Sequence, residues 1–367
     1  MGVKASVGVL IVDALLVHRP EWEPGPTPVA NGPMIATAGL RSTYFHPRAA
    51  RCLYGSAEEP VRWHRWTDSG SQLNGLPVRS VEVLAAPAFA HPSRALVVIH
   101  LDLGIDPLGS LSGLSRLSSS GTFSDGVSSV ETLSTGSCSA VPGLVRVSTI
   151  AYVSFEGPMP SGPFGAGFES WPAVDQWLQV LASATPPSSY RPDPELGREI
   201  PIALSHSWRA MVLRDGVAFV AREPDNGVDG FIERGSPEFY VRSIYTDAIL
   251  LGKLQGMALH GIVEDLAVRP RGKVPLRRLQ AAEIRLDEFR SMLWWQTVTG
   301  HGPANDLLAA YQRQHSLPQL VAEVVGDLTD SARLHRLVEA DRTGTAINTI
   351  AVVGLPVALV VSIASIW

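Results

Sequence analysis

The sequence predicts an α+β protein: a cytoplasmic mixed-sheet domain, divided into two candidate related halves, then long helices and one C-terminal transmembrane helix. Three observations carry that prediction. Apolar runs of strand length and strand period recur between residues 6 and 221. Apolar positions keep helical spacing from residue 236 onward. No charged side chain occurs from Thr343 to Trp367. The boundaries that follow are 1–108 for the first α+β half, 109–143 for a Ser/Gly-rich flexible insert and 144–235 for the second half. Residues 236–345 then form a helical stalk region, and 346–367 the membrane span.

Taken in order, Ser6 to Val17 is an apolar run broken by Asp13, which suits a buried strand better than a secretory leader. Glu21 to Pro33 is rich in Pro and Gly and reads as a loop. Strand candidates follow at Val61–Trp66, Val78–Leu84 and Ser93–Leu101. Twelve serines fall within residues 110–140, too little apolar matter to order a segment by itself. Val145 to Phe155 returns to strand character, and Trp171 to Ala184 reads as a short helix. Residues 207–221 read as a hairpin turning at Asp215-Gly216. Arg94-Ala95-Leu96-Val97-Val98 and Arg209-Ala210-Met211-Val212-Leu213 are alike, the basis for two related halves.

Ser236-Pro237-Glu238 supplies a cap, a first-turn proline and an acid at a helix start. Helical spacing then runs to Pro270, again over Leu276–Val298 and Asn305–Gln314, and from Pro318 into the last segment. The 22 residues Ala346–Trp367 would span about 33 Å as a helix, against a hydrocarbon core of about 30 Å. Ile347, Ile350, Val353, Leu355, Leu359 and Val361 are its expected anchor residues with Pro356, which is tolerated in such a span, and Trp367, which suits the far interface. Arg333, Arg336 and Arg342 precede it, and positive-inside logic leaves the body in the cytoplasm. That segment carries the chain's positive mean hydropathy of +0.12, and the remainder averages near zero.

Composition narrows the function classes. A net charge of −5 and a pI near 6.1 argue against a dedicated nucleic-acid binder. Two cysteines, Cys52 and Cys138, make no disulfide framework and no zinc spacing, so they read as reduced thiols. Only Lys4, Lys253 and Lys273 among 30 basic residues are lysines, and with the Ala, Gly and Pro richness this points to a high-GC bacterial coding bias. The plasma membrane of a bacterium is then the expected location.

No motif carries recognisable catalytic chemistry. His100 and Asp102 share a strand end but lack a third metal ligand. Gly162 to Gly167 is interrupted by Pro163 and lacks the strand–helix setting of a phosphate loop. His206 and Asp215 have no nucleophile elbow beside them. His260-Gly261 resembles the His-Gly of caspase-like proteases, but both cysteines precede it without the expected flanks. Trp294-Trp295 suits a helical packing layer, and Tyr240, Arg242, Tyr245 and Asp247 form a polar cluster expected to pair with the neighbouring sheet. No catalytic residue, cofactor or metal is expected.

From residue 200 on, the order of parts resembles the CorA-type divalent-cation transporters, with an α+β domain, helices, and a stalk helix entering the membrane. The likeness rests on Leu334–Trp367 with Asn348 and Pro356 in succession; the family's Gly-Met-Asn and second span are missing, since the chain ends Ser365-Ile366-Trp367. The blocks Ser207–Val220 and Tyr240–Ala248 are similar to actinobacterial proteins associated with caspase and TPR-repeat genes in conflict systems. The first resemblance implies a homo-oligomeric channel subunit. The second implies a membrane-anchored sensor or scaffold in bacterial defence, with a caspase-like or TPR-containing partner. The bilayer and further copies of the chain, packed through the stalk helices, complete the expected partners.

Overall fold

The computed structural model describes residues 2–90, 93–119, 131–140, 147–157, 159–193, 201–214, 216–222, 236–267, 275–295 and 297–349. In chain order these carry β1 (Val3–Leu16), β2 (Glu23–Pro24), β3 (Val29–Asn31), β4 (Met34–Ala36), α1 (Ala38–Ser42), α2 (Pro47–Tyr54), β5 (Arg62–Trp66) and β6 (Gln72–Leu73). Next come β7 (Leu76–Ala85), β8 (Arg94–Asp102), α3 (Pro107–Ser119), β9 (Cys138–Ala140), β10 (Val147–Phe155), α4 (Ala173–Ser183), β11 (Ile202–Ala203), β12 (Trp208–Val212) and β13 (Gly216–Arg222). Last are α5 (Ser236–Tyr240), a π-helical turn (Val241–Tyr245), α6 (Thr246–Ala267), α7 (Leu276–Met292), α8 (Gly302–Gln314) and α9 (Leu317–Thr349). The architecture is α+β, as the sequence predicts.

Two compact units divide these elements. The first comprises residues 1–258 and 288–317, and the second 259–287 and 318–367. In the first unit one mixed sheet runs β11-β12-β13-β10-β1-β8-β7-β5-β2. The apolar β1 sits at its centre, antiparallel to both β8 and β10. Strands from the two expected halves therefore share one sheet. β10 and β13 pair in parallel, which requires the crossover that α4 helps to make.

Alternation along the strands splits the sheet into two buried faces. On one face Leu10, Val12, Val81, Val83, Val97, Ile99 and Val153 pack with Trp177, Leu178 and Leu181 of α4. On the other, Asp13 of β1 takes a bond from Lys253 of α6, and Glu82 of β7 lies beside His100 of β8. The residues of α6 up to Ala258 are almost all buried, as suits a helix that is apolar on nearly every side.

Several elements differ from the sequence expectation. Part of the Ser-rich segment is ordered, because α3 inserts Leu111, and the residues around β9 insert Leu133 and Cys138, into the main core. β9 pairs with β1; positions 120–130 and 141–146 lie outside the described residues. The expected loop Glu21–Pro33 contains β2, paired to β5, and β3, which turns at Gly32 with φ of +57° to pair with β4 beyond it. The helix expected over Leu276–Val298 stops at Met292. There the Leu293 and Trp294 amides both donate to the Phe289 carbonyl, and Gln255 Nε2 donates to the freed Leu293 carbonyl at 2.8 Å.

In the second unit, Arg285 of α7 pairs with Asp265 of α6, and Leu266, Leu279, Ala282, Val324 and Leu328 are buried. α9 is one helix of 33 residues, about 50 Å long. Arg333 and Arg336 are exposed on it. Arg342 and Ile347 belong to its last turns. Among the described residues no helix is long and apolar enough to cross a membrane. The expected span Ala346–Trp367, with Ile350, Val353, Leu355, Pro356, Leu359, Val361 and Trp367, lies outside them from position 350 on.

Candidate functional site

The first unit holds a buried ionic network and, on the same stretch of helix, an aromatic pocket. The network begins in the strands. Arg62 of β5, Glu82 of β7 and His100 of β8 all point from the sheet toward α6, and none of their side chains is more than 1% exposed. Arg62 donates Nε to Glu82 Oε2 at 2.6 Å and Nη1 to Asp247 Oδ1 at 2.7 Å. His100 donates Nε2–H to Glu82 Oε1 at 2.9 Å, and the Thr27 amide donates to the same oxygen at 2.9 Å.

Asp247, in the first turn of α6, is the second anion. Beside Arg62 it accepts from Arg41 Nη1 at 3.2 Å and from the Tyr54 hydroxyl at 2.8 Å. Arg41 sits on α1, where its Nε and Nη2 donate to the Ala36 and Thr27 carbonyls at 3.1 and 2.6 Å. Two guanidiniums thus balance two carboxylates, which is the condition for a buried charge cluster to persist.

Burial pushes the Glu82 carboxyl up, yet Arg62 and the His100 bond outweigh it and hold it well below the usual carboxylate range. Burial lowers His100, with the Glu82 bond working against it. Burial and then Asp247 raise the Tyr54 phenol well above its ordinary value, so it stays a donor.

Helix register delivers Asp247 to this cluster. Between α5 and α6 the chain makes a π-helical turn in which the Thr246 amide and hydroxyl both reach the Val241 carbonyl, five residues back. One extra residue in the turn shifts the face that follows, and such turns occur mostly as single interruptions of α-helix at functional positions. Here Ile244 and Tyr245 reach the pocket together, while Asp247 reaches the sheet.

The pocket, about 430 Å³ in volume, is walled chiefly by Tyr44, Trp208, Tyr240, Tyr245 and His301. Leu204, Ile244 and Pro303 complete its apolar surface, and Ser205 adds a hydroxyl. Tyr245 lies near-parallel to both Trp208 and Phe219, with centroids 5.5 and 5.7 Å away, and those two rings are 6.2 Å from each other. The other wall is Tyr44 against His301, centroids 4.5 Å apart and planes 32° apart. Tyr44 meets Tyr240 at 77°, so the two walls form a corner.

The Tyr44 wall is fixed by backbone. The His46 amide donates to the Val298 carbonyl at 2.6 Å, and Phe45 bridges Thr299. Asn305 of α8 then accepts from the Val298 and Thr299 amides, closing the loop that carries His301. Burial raises the Tyr245 phenol, and burial with the Tyr44 bond raises Tyr240, so both stay neutral.

Of the polar cluster read from sequence, Asp247 and Tyr245 meet the sheet as expected, whereas Arg242 and Tyr240 find other partners. Asp247 joins the sheet, Tyr240 and Tyr245 line the pocket, and Arg242 pairs with Glu238 at 3.3 Å. Glu238 lies 3.8 Å from Arg79, which binds Asp102 at 2.5 Å. His100 and Asp102 thus bond to different partners, and the described residues contain no group of three metal-ligating side chains. The 162–167 loop is pinned by Gln176, which accepts from the Phe164 amide at 3.2 Å and donates to the Phe168 and Trp171 carbonyls.

His206 is exposed, and Asp215 lies outside the described residues. His260 lies within helix α6. Trp295 stacks on His46 at 4.8 Å with Arg48 over its ring, a packing role. Sequence reasoning missed Arg41, Tyr44, Tyr54, Arg62 and His301. Charged residues at inward strand positions were the available signal, visible only once both faces of the sheet are known to be covered.

No family model, curated protein or solved structure matches this chain.

Proposed function

We propose that the chain is a non-enzymatic, membrane-anchored sensor or scaffold, with its α+β unit in the bacterial cytoplasm and the aromatic pocket as the place where a signal is read. The uncharged run Thr343–Trp367, whose first residues to Thr349 belong to helix α9, is the observation that carries the reading. The pocket supports sensing. Its hydroxyls and rings bind and orient a ligand, whereas the carboxylates and guanidiniums of the network are buried away from it. The similarity of Ser207–Val220 and Tyr240–Ala248 to conflict-system proteins favours a role in bacterial defence, beside a caspase-like or TPR-containing partner. Exposed Leu334 and Leu337 on α9 favour association of copies through this helix.

Membrane fractionation tests the anchor. The full chain should stay with membranes through a high-salt wash, and a chain ending at residue 342 should leave them. Retention of the shortened chain in high salt overturns the reading. Helix α9, running up to the apolar segment, also suits a channel stalk. Reconstituted protein that passes no ions in planar bilayers eliminates that alternative.

A further inference from the structure

The pocket's lining narrows the chemistry of its ligand. Tyr44, Trp208, Tyr240, Tyr245 and His301 supply ring surface, and Ser205 and the phenols supply hydroxyls; among the described residues no lining residue is Asp, Glu, Lys or Arg. An anionic ligand such as a phosphate or carboxylate would need a guanidinium or ammonium in the wall. A primary ammonium would bring three N–H donors, for which a carboxylate is the usual acceptor. A quaternary ammonium carries positive charge and no N–H at all. It asks only for the negative faces of aromatic rings, placed around it on more than one side.

The corner of the pocket brings aromatic rings to such a group from more than one side. Tyr44 and Tyr240 stand at 77°, with centroids 6.5 Å apart, and Tyr245 lies 5.9 Å from Tyr240. The Tyr240 and Tyr245 phenols stay protonated because burial raises them. The cavity of about 430 Å³ falls in the range of small-ligand sites. A body of net charge −5 adds a weak long-range preference for cations.

We infer that this pocket is an aromatic cage for a quaternary ammonium group of the choline type. The inference rests on the reading of the pocket as the signal-reading site and names its ligand class. Trimethylammonium chemistry has two sources in such a setting, a free small molecule and a phosphatidylcholine headgroup.

Isothermal titration of the full chain in phosphatidylglycerol nanodiscs tests it, with three probes: choline, its neutral isostere 3,3-dimethylbutan-1-ol, and indole as an uncharged flat ring. Choline should bind at least about 10-fold more tightly than the isostere, because only the charge differs and the cation–π attraction goes with it. Tyr44→Ala should weaken choline about 10-fold, whereas Tyr44→Phe, which keeps the ring, should stay within about threefold of the parent. That conservative variant separates loss of the cage from loss of the fold.

Equal binding of choline and the isostere overturns the cation assignment. Binding of indole without choline also overturns it, while leaving the pocket as a ligand site. Failure of all three probes overturns both the cage and the pocket's role in sensing. Repeating the titration in phosphatidylcholine discs separates the sources. A weaker apparent choline affinity there assigns the lipid headgroup, and an unchanged one assigns a free ligand; either outcome supports the cage.

Discussion

Replacing Asp247 with alanine should be among the most damaging single changes to the first unit. Its carboxylate accepts from Arg62 Nη1 at 2.7 Å, Tyr54 Oη at 2.8 Å and Arg41 Nη1 at 3.2 Å, and all of these side chains are buried. Hydrogen bonds to a charged partner contribute about 1.5–3 kcal/mol each, so three of them set an upper bound of about 5–9 kcal/mol. Two facts reduce it. Arg62 keeps Glu82, and Arg41 keeps the carbonyls of Thr27 and Ala36.

What remains is one uncompensated positive charge in a dry interior, for which about 3–5 kcal/mol is the usual cost. In a body of this size that is a fall in Tm of about 10 °C. Urea unfolding followed by tryptophan fluorescence would read it as a lower midpoint at unchanged slope. The double variant Arg62→Met with Asp247→Leu restores charge balance. It should be destabilised by less than the sum of its two single variants, because buried pairs replaced together often cost little. An Asp247→Ala midpoint within about 1 kcal/mol of the parent would refute the idea that the network locks α6 to the sheet.

Acid should weaken the same unit in two stages. His100 is held below its unfolded value, so its share of stability is complete above pH about 6.5 and declines as the pH falls below that. Glu82 is held far below its unfolded value near 4.3, so its larger share is lost only on further acidification. Denaturation curves at stepped pH should show both stages, and His100→Gln should abolish the first and leave the second.

Gly252→Ala should destabilise by about 1–3 kcal/mol, since an added Cβ would come 2.4 Å from the buried Tyr311 ring of α8; an unchanged melting temperature would contradict that contact. Burial pushes the Cys52 thiol up to about 11 and Cys138 up to about 12. Both should react with a thiol reagent far more slowly in the native chain than in urea, and equal rates would count against the burial.

Strand and helix positions were legible wherever one residue type repeats with a fixed period. β1, β7, β8, β10, α4 and α8 lie close to where periodicity predicts them. Glu82 shows the limit. Between Val81 and Val83 it reads as the wet side of a half-exposed strand, but α6 covers that face and Glu82 is fully buried. Alternation reports that two faces differ, not that either meets water. The Ser-rich segment shows the converse: Leu111, Leu133 and Cys138 anchor its described parts only because a core is already there to receive them.

By itself the sequence determined the elements, the α+β class and the uncharged C-terminal segment, because period, turn chemistry and charge are local properties of the chain. Tertiary structure decided that both sheet segments join along β1, that Arg41, Arg62, Glu82 and Asp247 neutralise one another, and that Tyr44 and His301 close a corner against Tyr240. These pairings link residues about 20 to 260 positions apart, and the π-helical turn that aims them follows from packing rather than propensity. No local pattern encodes which distant partner a buried charge will meet; the shared cost of leaving each one alone selects it.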